Sequence, residues 1–436
     1  MKIYIFILFL FLFYSGYSQT RQEKEQQIQC LTAEEQVQIK NDIRALKRTY
    51  YAALKDSGVT PNNHSGHILL GWPMRASSDY DFVYNYFNNQ NYVDQDRTST
   101  ADEDYKCNSR TYDGHDASDI NLYPFWWRMM DNNYVMAVAA APGIIIQKQN
   151  GNYDRNCTTT GSANNIILLH DDGTTTRYWH LKQNSLTSKS LNSRVEQGEF
   201  LGYIGSSGRS SNPHLHFSVY DTLDNLVEPY IETGTPQCNV LNTDTWWQKQ
   251  RPYWDPQINR MMTHSSIPSL QFCPDDEAVY AKNQFASGDV MYTGIAFMDA
   301  QSGDIANCSL IQPNGIIYDS WSIAITSSNS RTYKTNLFSI PSGNAGTWTF
   351  KAVYRSKTYV HFFTVGCTNT QTVSGNISGN DGYIAGININ SNAVHTGGSN
   401  TKVLYQAASY IELKPGFQAS AGIHFKARIK TCTYTE

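Results

Sequence analysis

Asn212-Pro213-His214-Leu215-His216-Phe217 is the stretch whose reading decides the fold. In an extended strand the side chains alternate, so His214 and His216 share one face while Leu215 and Phe217 share the other. One face is polar and the other can enter a core. Imidazole is both a zinc ligand and an acid or base near neutral pH, so the pair points to a metal or proton-transfer site. Just upstream, Gly205-Ser206-Ser207-Gly208-Arg209-Ser210-Ser211 predicts a small, flexible loop that a substrate backbone can approach closely.

Working outward, the neighbouring runs also read as strands. Ile166-Ile167-Leu168-Leu169 joins Thr174-Thr175-Thr176-Arg177-Tyr178-Trp179-His180 through Asp171-Asp172-Gly173, and Asp-Gly is a strong hairpin signal. Val135-Met136-Ala137-Val138, Gly143 to Lys148 and Glu199 to Ile204 are further β-rich runs. The hairpin brings a third imidazole, His180. Further upstream, Asp113-Gly114-His115-Asp116-Ala117-Ser118-Asp119 places a histidine and an aspartate four residues apart. Two neutral histidines and one carboxylate are a three-ligand set for catalytic zinc, leaving a fourth position for water. Composition leaves open whether His214 or His216 is a ligand.

The order of these pieces, His115-x-x-x-Asp119, then Tyr178-Trp179-His180-Leu181, then a Gly/Ser loop and Pro213-His214-Leu215-His216-Phe217, resembles the M23 family of zinc metallopeptidases. Within it the stretch from about Tyr112 to Tyr220 resembles the lysostaphin and staphylolysin (LasA-type) group. The resemblance implies a mostly antiparallel β fold with one Zn2+ per chain, held by His115, Asp119 and His216. It implies that His214 is the general base on a water and that His180 stabilises the oxyanion or donates a proton. It also implies a substrate among peptidoglycan peptides and Gly-rich proteins. Many members place a glycine between the first histidine and aspartate, whereas here the interval is Asp116-Ala117-Ser118, which leaves the identity of the ligands unaffected. H-E-x-x-H is absent, against a helical zinc site with a glutamate base. The alternative is a non-catalytic cell-wall binding or adhesion protein on a peptidase-like fold, and the presence of all five site residues weighs against it.

Met1-Lys2, the apolar run Ile3 to Tyr14 and then Ser15-Gly16-Tyr17-Ser18 read as a secretory signal, too short to span a bilayer. A secreted or cell-surface protein, expected to be a monomer with no membrane span, follows. A net charge of -4 lacks the basic excess of a nucleic-acid binder. The 8 cysteines, widely spaced and without a C-x-x-C pair, read as disulfides. Cys107 with Cys157 and Cys273 with Cys308 are the expected pairs.

The expected division is a signal over 1–18, a helical, pro-like segment over 19–95 and the peptidase over 96–264. An immunoglobulin-like β-sandwich over 265–367 and a small C-terminal β repeat domain over 368–436 follow. Thr32-Ala33-Glu34-Glu35 is a capping box opening a helix that Ser57-Gly58 stops. Val290 to Phe297 and Gly346 to Tyr354 alternate as sandwich strands, a spacer or substrate-holding module whose removal near Ser265 spares cleavage of small peptides. Ile411-Glu412-Leu413-Lys414-Pro415-Gly416-Phe417 and the alternation of Ile423, Phe425, Ala427 and Ile429 are similar to the three-coathanger-stack domain of exported Bacteroidetes proteins, which implies attachment or secretion handling. His64, His67, His170, His264, His361, His395 and His424 read as structural.

Overall fold

The computed structural model describes residues 33–56, 67–78, 80, 84–96, 102–155, 157, 160–231, 238, 245–270 and 277–432. The expected signal and capping residue Thr32, with His64, Cys30 and Cys273, lie outside these. The chain is predominantly β, with antiparallel sheets, an N-terminal helix and additional β units after the region that carries the paired histidines.

Helix α1 spans Ala33–Asp56. Eleven strands follow: β1 (Met74–Ala76), β2 (Phe87–Asn91), β3 (Ser118–Leu122), β4 (Val135–Val138), β5 (Gly143–Gln149), β6 (Asn164–His170), β7 (Thr175–Leu181), β8 (Arg194–Val195), β9 (Phe200–Tyr203), β10 (His214–Tyr220) and β11 (Leu226–Val227). A short helix α2, Trp126–Asp131, lies between β3 and β4. The main sheet runs β2-β3-β10-β7-β6-β5-β8, with β11 also on β10, and a second sheet runs β1-β4-β9. The register sets His216 opposite both Asp119 of β3 and Trp179 of β7.

That register realises the period-two reading. Leu215, Phe217 and Val219 enter the main core with Ile166, Leu168 and Tyr178. On the other face Ile167, Leu169 and Tyr220 pack against Ile43 of α1. Lys47 and Arg44 of α1 pair with Asp224 beyond the end of β10. The helix therefore sits on the same sheet face as the histidines, toward the far end of β10. Phe125, Trp126 and Trp127 are buried, as their apolar character requires.

Next come β12 (Gln257–His264), β13 (Gln284–Phe285), β14 (Val290–Ala300), β15 (Ile305–Ile311), β16 (Ile317–Ala324), β17 (Asn329–Ser339), β18 (Gly346–Tyr354) and β19 (Lys357–Val365). They form sheets β12-β14-β17 and β13-β19-β18-β15-β16 around a core that includes Trp348, Phe350 and Phe363. Beyond them lie β20 (Thr370–Val373), β21 (Asn376–Ser378), β22 (Asp381–Ala385), β23 (Asn388–Ser391), β24 (Val394–Thr396), β25 (Lys402–Ala407), β26 (Tyr410–Leu413), β27 (Gln418–Ala419) and β28 (His424–Ile429). These coil three times into three parallel three-stranded sheets, each coil adding one strand to each sheet. The alternating residues near the C-terminus thus belong to the last coil.

Two sequence expectations change here. Cys107 bonds to Cys238 rather than Cys157, whose disulfide partner lies outside the described residues. Cys308 is a buried thiol, so it does not pair with Cys273. Cys367 bonds to Cys432, tying the start of the coils to their end. Sequence separation carries no geometric information, and only the fold brings Cys107 to Cys238.

The sandwich is docked rather than appended. Arg110 reaches Asp299 of β14 at 3.3 Å in a buried ion pair, and the Asn259 amide donates to the Phe87 carbonyl at 2.7 Å. Glu277 accepts from the Arg128 amide at 2.8 Å and the Trp127 amide at 3.3 Å, capping α2. Arg331 lies 5.0 Å over the Trp126 ring and Tyr333 packs 5.5 Å from Phe125. Truncation at Ser265 is therefore expected to destabilise the preceding β region instead of sparing it. Loss of one partner of a buried ion pair alone costs about 3–5 kcal/mol. A thermal melt of the truncated chain checks this, with a clear fall in Tm expected.

Candidate metal centre

His115 lies on the turn entering β3, Asp119 on β3, His180 near the end of β7, and His214 and His216 at the start of β10. All five are at most 5% exposed. The structure brings all of them together. The His180 ring lies 4.6 Å from that of His214 and 5.6 Å from that of His216, and the His115 ring lies 5.3 Å from His216.

Backbone carbonyls orient three of the rings. His115 Nδ1 is 2.7 Å from the Tyr92 carbonyl, His180 Nδ1 is 2.7 Å from the Ser207 carbonyl, and His214 Nδ1 is 2.8 Å from the Asn212 carbonyl. A carbonyl only accepts, so each Nδ1 carries the proton and each Nε2 presents a lone pair. For His216 the acceptor is a carboxylate: Nε2 lies 2.9 Å from Asp116 Oδ1, which leaves Nδ1 as the basic nitrogen.

Those basic nitrogens face Asp119. His115 Nε2 is 3.0 Å from Asp119 Oδ2, and His216 Nδ1 is 3.1 Å from Asp119 Oδ1. Lone pairs aimed at a carboxylate at such distances repel unless a cation or an added proton lies between them. Ligands about 2.0–2.1 Å from a tetrahedral zinc stand roughly 3.3 Å from one another, close to the spacing found. The ligand atoms of His115, Asp119 and His216 lie within 4.8 Å of one another, as do those of His180, His214 and His216. The first set is a cluster that fits a zinc ion, with the carboxylate halving the metal's charge.

Burial raises the Asp119 carboxyl, but positive charge at His115 and His214, whether an added proton or a cation between these groups, outweighs it and holds the group well below the usual range. Asn91, on β2, donates to Asp119 Oδ2 at 3.0 Å. Glu228 ties the segment that follows β2 to the one that follows β11 by accepting from the Val93 and Tyr230 amides, each at 3.0 Å. Burial pushes its carboxyl up to about 8. Asn91 and Glu228 were not singled out from sequence, since neither belongs to a motif and their roles arise from register.

The Gly/Ser loop is not an open channel. Ser206, Ser207 and Ser210 are buried, and Ser207 Oγ donates to the Leu181 carbonyl at 2.8 Å while accepting from the Asn164 amide at 2.9 Å. The loop is a packed support that aims its Ser207 carbonyl at His180. His180 itself has φ 61°, left-handed for a non-glycine residue, at the place where β7 bends under Gly205. A Cβ on Gly205 would lie 2.4 Å from Lys182 Cα. Gly205→Ala is therefore expected to push the β7 end and His180 out of position. A displacement of about 1 Å costs on the order of 10²-fold in rate. Turnover and zinc content measured together check this: turnover falls while zinc, whose three proposed ligands lie elsewhere, stays.

Other histidines have structural partners. His170 lies between the Pro142 carbonyl and Thr176, His264 between the Val279 carbonyl and Tyr333, and His67 stacks on Trp246.

Residues 128–229 match the model of peptidase family M23. That span holds His180, His214 and His216, while His115 and Asp119 precede it. Among curated proteins the chain is similar to the glycyl-glycine endopeptidase ALE-1 of Staphylococcus capitis, 38% identical over 60 residues, covering 14% of this chain and 16% of that protein. It is also similar to the DD-carboxypeptidase/endopeptidase Mpg of Neisseria meningitidis serogroup B, 37% identical over 59 residues, covering 14% of this chain and 13% of that one. Among solved structures, the catalytic domain of lysostaphin from Staphylococcus simulans aligns at 19% identity and TM-score 0.22, over 36% of this chain and 96% of that one. The family match gives an M23-type peptidase region over 128–229, and the cluster that fits a metal joins His216 from that region to His115 and Asp119 just ahead of it.

Proposed function

We propose that the protein is an exported zinc endopeptidase that cleaves peptide bonds in peptidoglycan cross-bridges or Gly-rich peptides, working as a monomer. The observation that carries this reading is the convergence of His115 Nε2 and His216 Nδ1 on the two oxygens of Asp119, with His180 and His214 beside them. One chain supplies the whole set. Export is supported by the composition of residues 1–18.

In this reading His115, Asp119 and His216 hold one zinc. Such an ion supplies a water of lowered pKa and a Lewis acid for the scissile carbonyl. His214, whose Nδ1 proton is pinned to the Asn212 carbonyl, takes a proton from the attacking water at Nε2. His180, pinned in the same way, presents its Nε2 to the developing oxyanion or the leaving amine. That role needs a protonated Nε2 in the transition state, so His180 acts as an imidazolium. Trp179, half-buried opposite His216 and stacked 4.3 Å over the Arg177 guanidinium, forms part of the wall beside the reacting bond.

The glycyl-glycine endopeptidase and the DD-carboxypeptidase/endopeptidase to which the chain is similar support this choice of substrates. The test uses the zinc-loaded chain with pentaglycine and with peptidoglycan sacculi, reading new amino ends. Cleavage of either, abolished by a strong chelator while the melting curve retains its cooperative transition, is the expected result. No new amino ends from either substrate with zinc fully bound would favour the binding or adhesion alternative.

A further inference from the structure

We propose that Asp116 is a positioning residue that locks His216 into the orientation that binds metal, by holding its Nε2 proton so that Nδ1 faces Asp119. This rests on the reading of His115, Asp119 and His216 as zinc ligands. It concerns the one residue of the His115-to-Asp119 interval whose side chain turns back toward the site.

The geometry is a relay of buried polar contacts behind the ligand. His216 Nε2 lies 2.9 Å from Asp116 Oδ1, and His216 Nδ1 lies 3.1 Å from Asp119 Oδ1. The second oxygen of Asp116 accepts from the Tyr220 hydroxyl at 3.3 Å and stands 3.6 Å from Arg177 Nη1. Arg177 Nη1 in turn donates to the Tyr220 hydroxyl at 2.7 Å. Asp116 is 3% exposed and Arg177 0%. A guanidinium taken fully out of water requires a counter-charge, and Asp116 is the carboxylate its Nη1 approaches.

A neutral imidazole has one proton for two nitrogens, so an acceptor at one side decides which nitrogen is left basic. Without Asp116, the Nδ1–H form would donate to Asp119 and turn its basic nitrogen away from the ligand cluster. With Asp116 the Nε2–H form is selected. The relay also reaches α1, because Tyr220 packs against Ile43 of that helix. The helix thus braces the relay from the far end of β10, on the same sheet face as the histidines.

The test uses the full-length chain with Asp116→Ala and Asp116→Asn. Zinc Kd is measured by competition with a chromophoric chelator, alongside the visible absorption of the cobalt-substituted protein and the split of kcat against KM. Loss of a residue that orients a ligand costs about 10–100-fold in metal affinity. Asp116→Ala is expected to show a loss of that size, an altered cobalt band and a fall in kcat with KM little changed. Asp116→Asn, which keeps an acceptor oxygen beside His216 but not the counter-charge of Arg177, is expected to recover part of the affinity. A further measurement needs no folded Asp116 variant: nitrogen NMR of the zinc-loaded wild type, with the His216 signals assigned through their loss in His216→Ala, should place the ring proton on Nε2. Wild-type Kd and spectrum in folded Asp116→Ala, equal losses in both variants, or a His216 proton on Nδ1 would each overturn the proposal. If the wild type itself binds no zinc, the ligand reading fails first, an outcome distinct from these.

Discussion

His216→Ala and Asp119→Asn are expected to lose zinc and, with it, turnover down to background. Asp119 is the hub of the cluster, facing His115 with one oxygen and His216 with the other. An amide in its place carries no charge and turns an N–H toward one of the two basic nitrogens. His216→Ala removes a ligand outright and leaves Asp116 and Asp119 buried without the imidazole between them. Structural zinc sites bind with about 10–16 kcal/mol, or roughly 2.5–4 kcal/mol for each of four ligands, so one lost ligand weakens binding about 10²–10³-fold. Elemental analysis of the purified variants, beside turnover of a small peptide, reads both effects.

His214→Ala and His180→Ala are expected to behave differently, keeping near-stoichiometric zinc while turnover falls about 10²–10⁴-fold, the scale of a lost proton-transfer group or oxyanion donor. Their Nδ1 atoms are held by the Asn212 and Ser207 carbonyls, so both rings are oriented by backbone rather than by the metal cluster. Removing either leaves the contacts among His115, Asp119 and His216 in place. His214 lies nearer to Asp119, with Nε2 at 3.6 Å from Oδ1, so it is the stricter case.

Much of the site was legible because it is written in local periodicity. Alternation in 214–217 placed the two histidines on one face, and the Asp172-Gly173 turn set His180 on the adjacent strand. The helix opening at Ala33 and closing at Asp56 followed from its capping and stop residues. What escaped depends on contacts between distant segments. The disulfide from Cys107 to Cys238 spans 131 residues, and nothing in the spacing distinguishes it from the expected Cys157. The alternating C-terminal residues read as strand, yet alternation is the same in a parallel coil and an antiparallel hairpin, and the coils exist only through pairing such as β22 with β25. Ser206, Ser207 and Ser210 read as a flexible loop from small size alone, whereas their hydroxyls bind it into the fold. Asp116 looked like a neutral variation in the interval because its partners, Arg177 and Tyr220, come from two other strands.

The sandwich illustrates the same limit. Strands such as 290–297 and 346–354 were evident from alternation, but their docking through Asp299, Tyr333 and Glu277 was not, since each of those residues has an ordinary sequence setting. A module read as a spacer therefore covers Phe125 and Trp126 of the preceding β region.

The most direct measurement takes zinc content and peptide turnover from the same preparations of the wild type, His216→Ala and His214→Ala. The wild type is predicted to hold one zinc per chain and to turn over. His216→Ala is predicted to lose both, and His214→Ala to keep the zinc while losing most of the turnover. A His214→Ala protein without zinc beside a His216→Ala protein that retains it, or full turnover in either variant, would contradict the account.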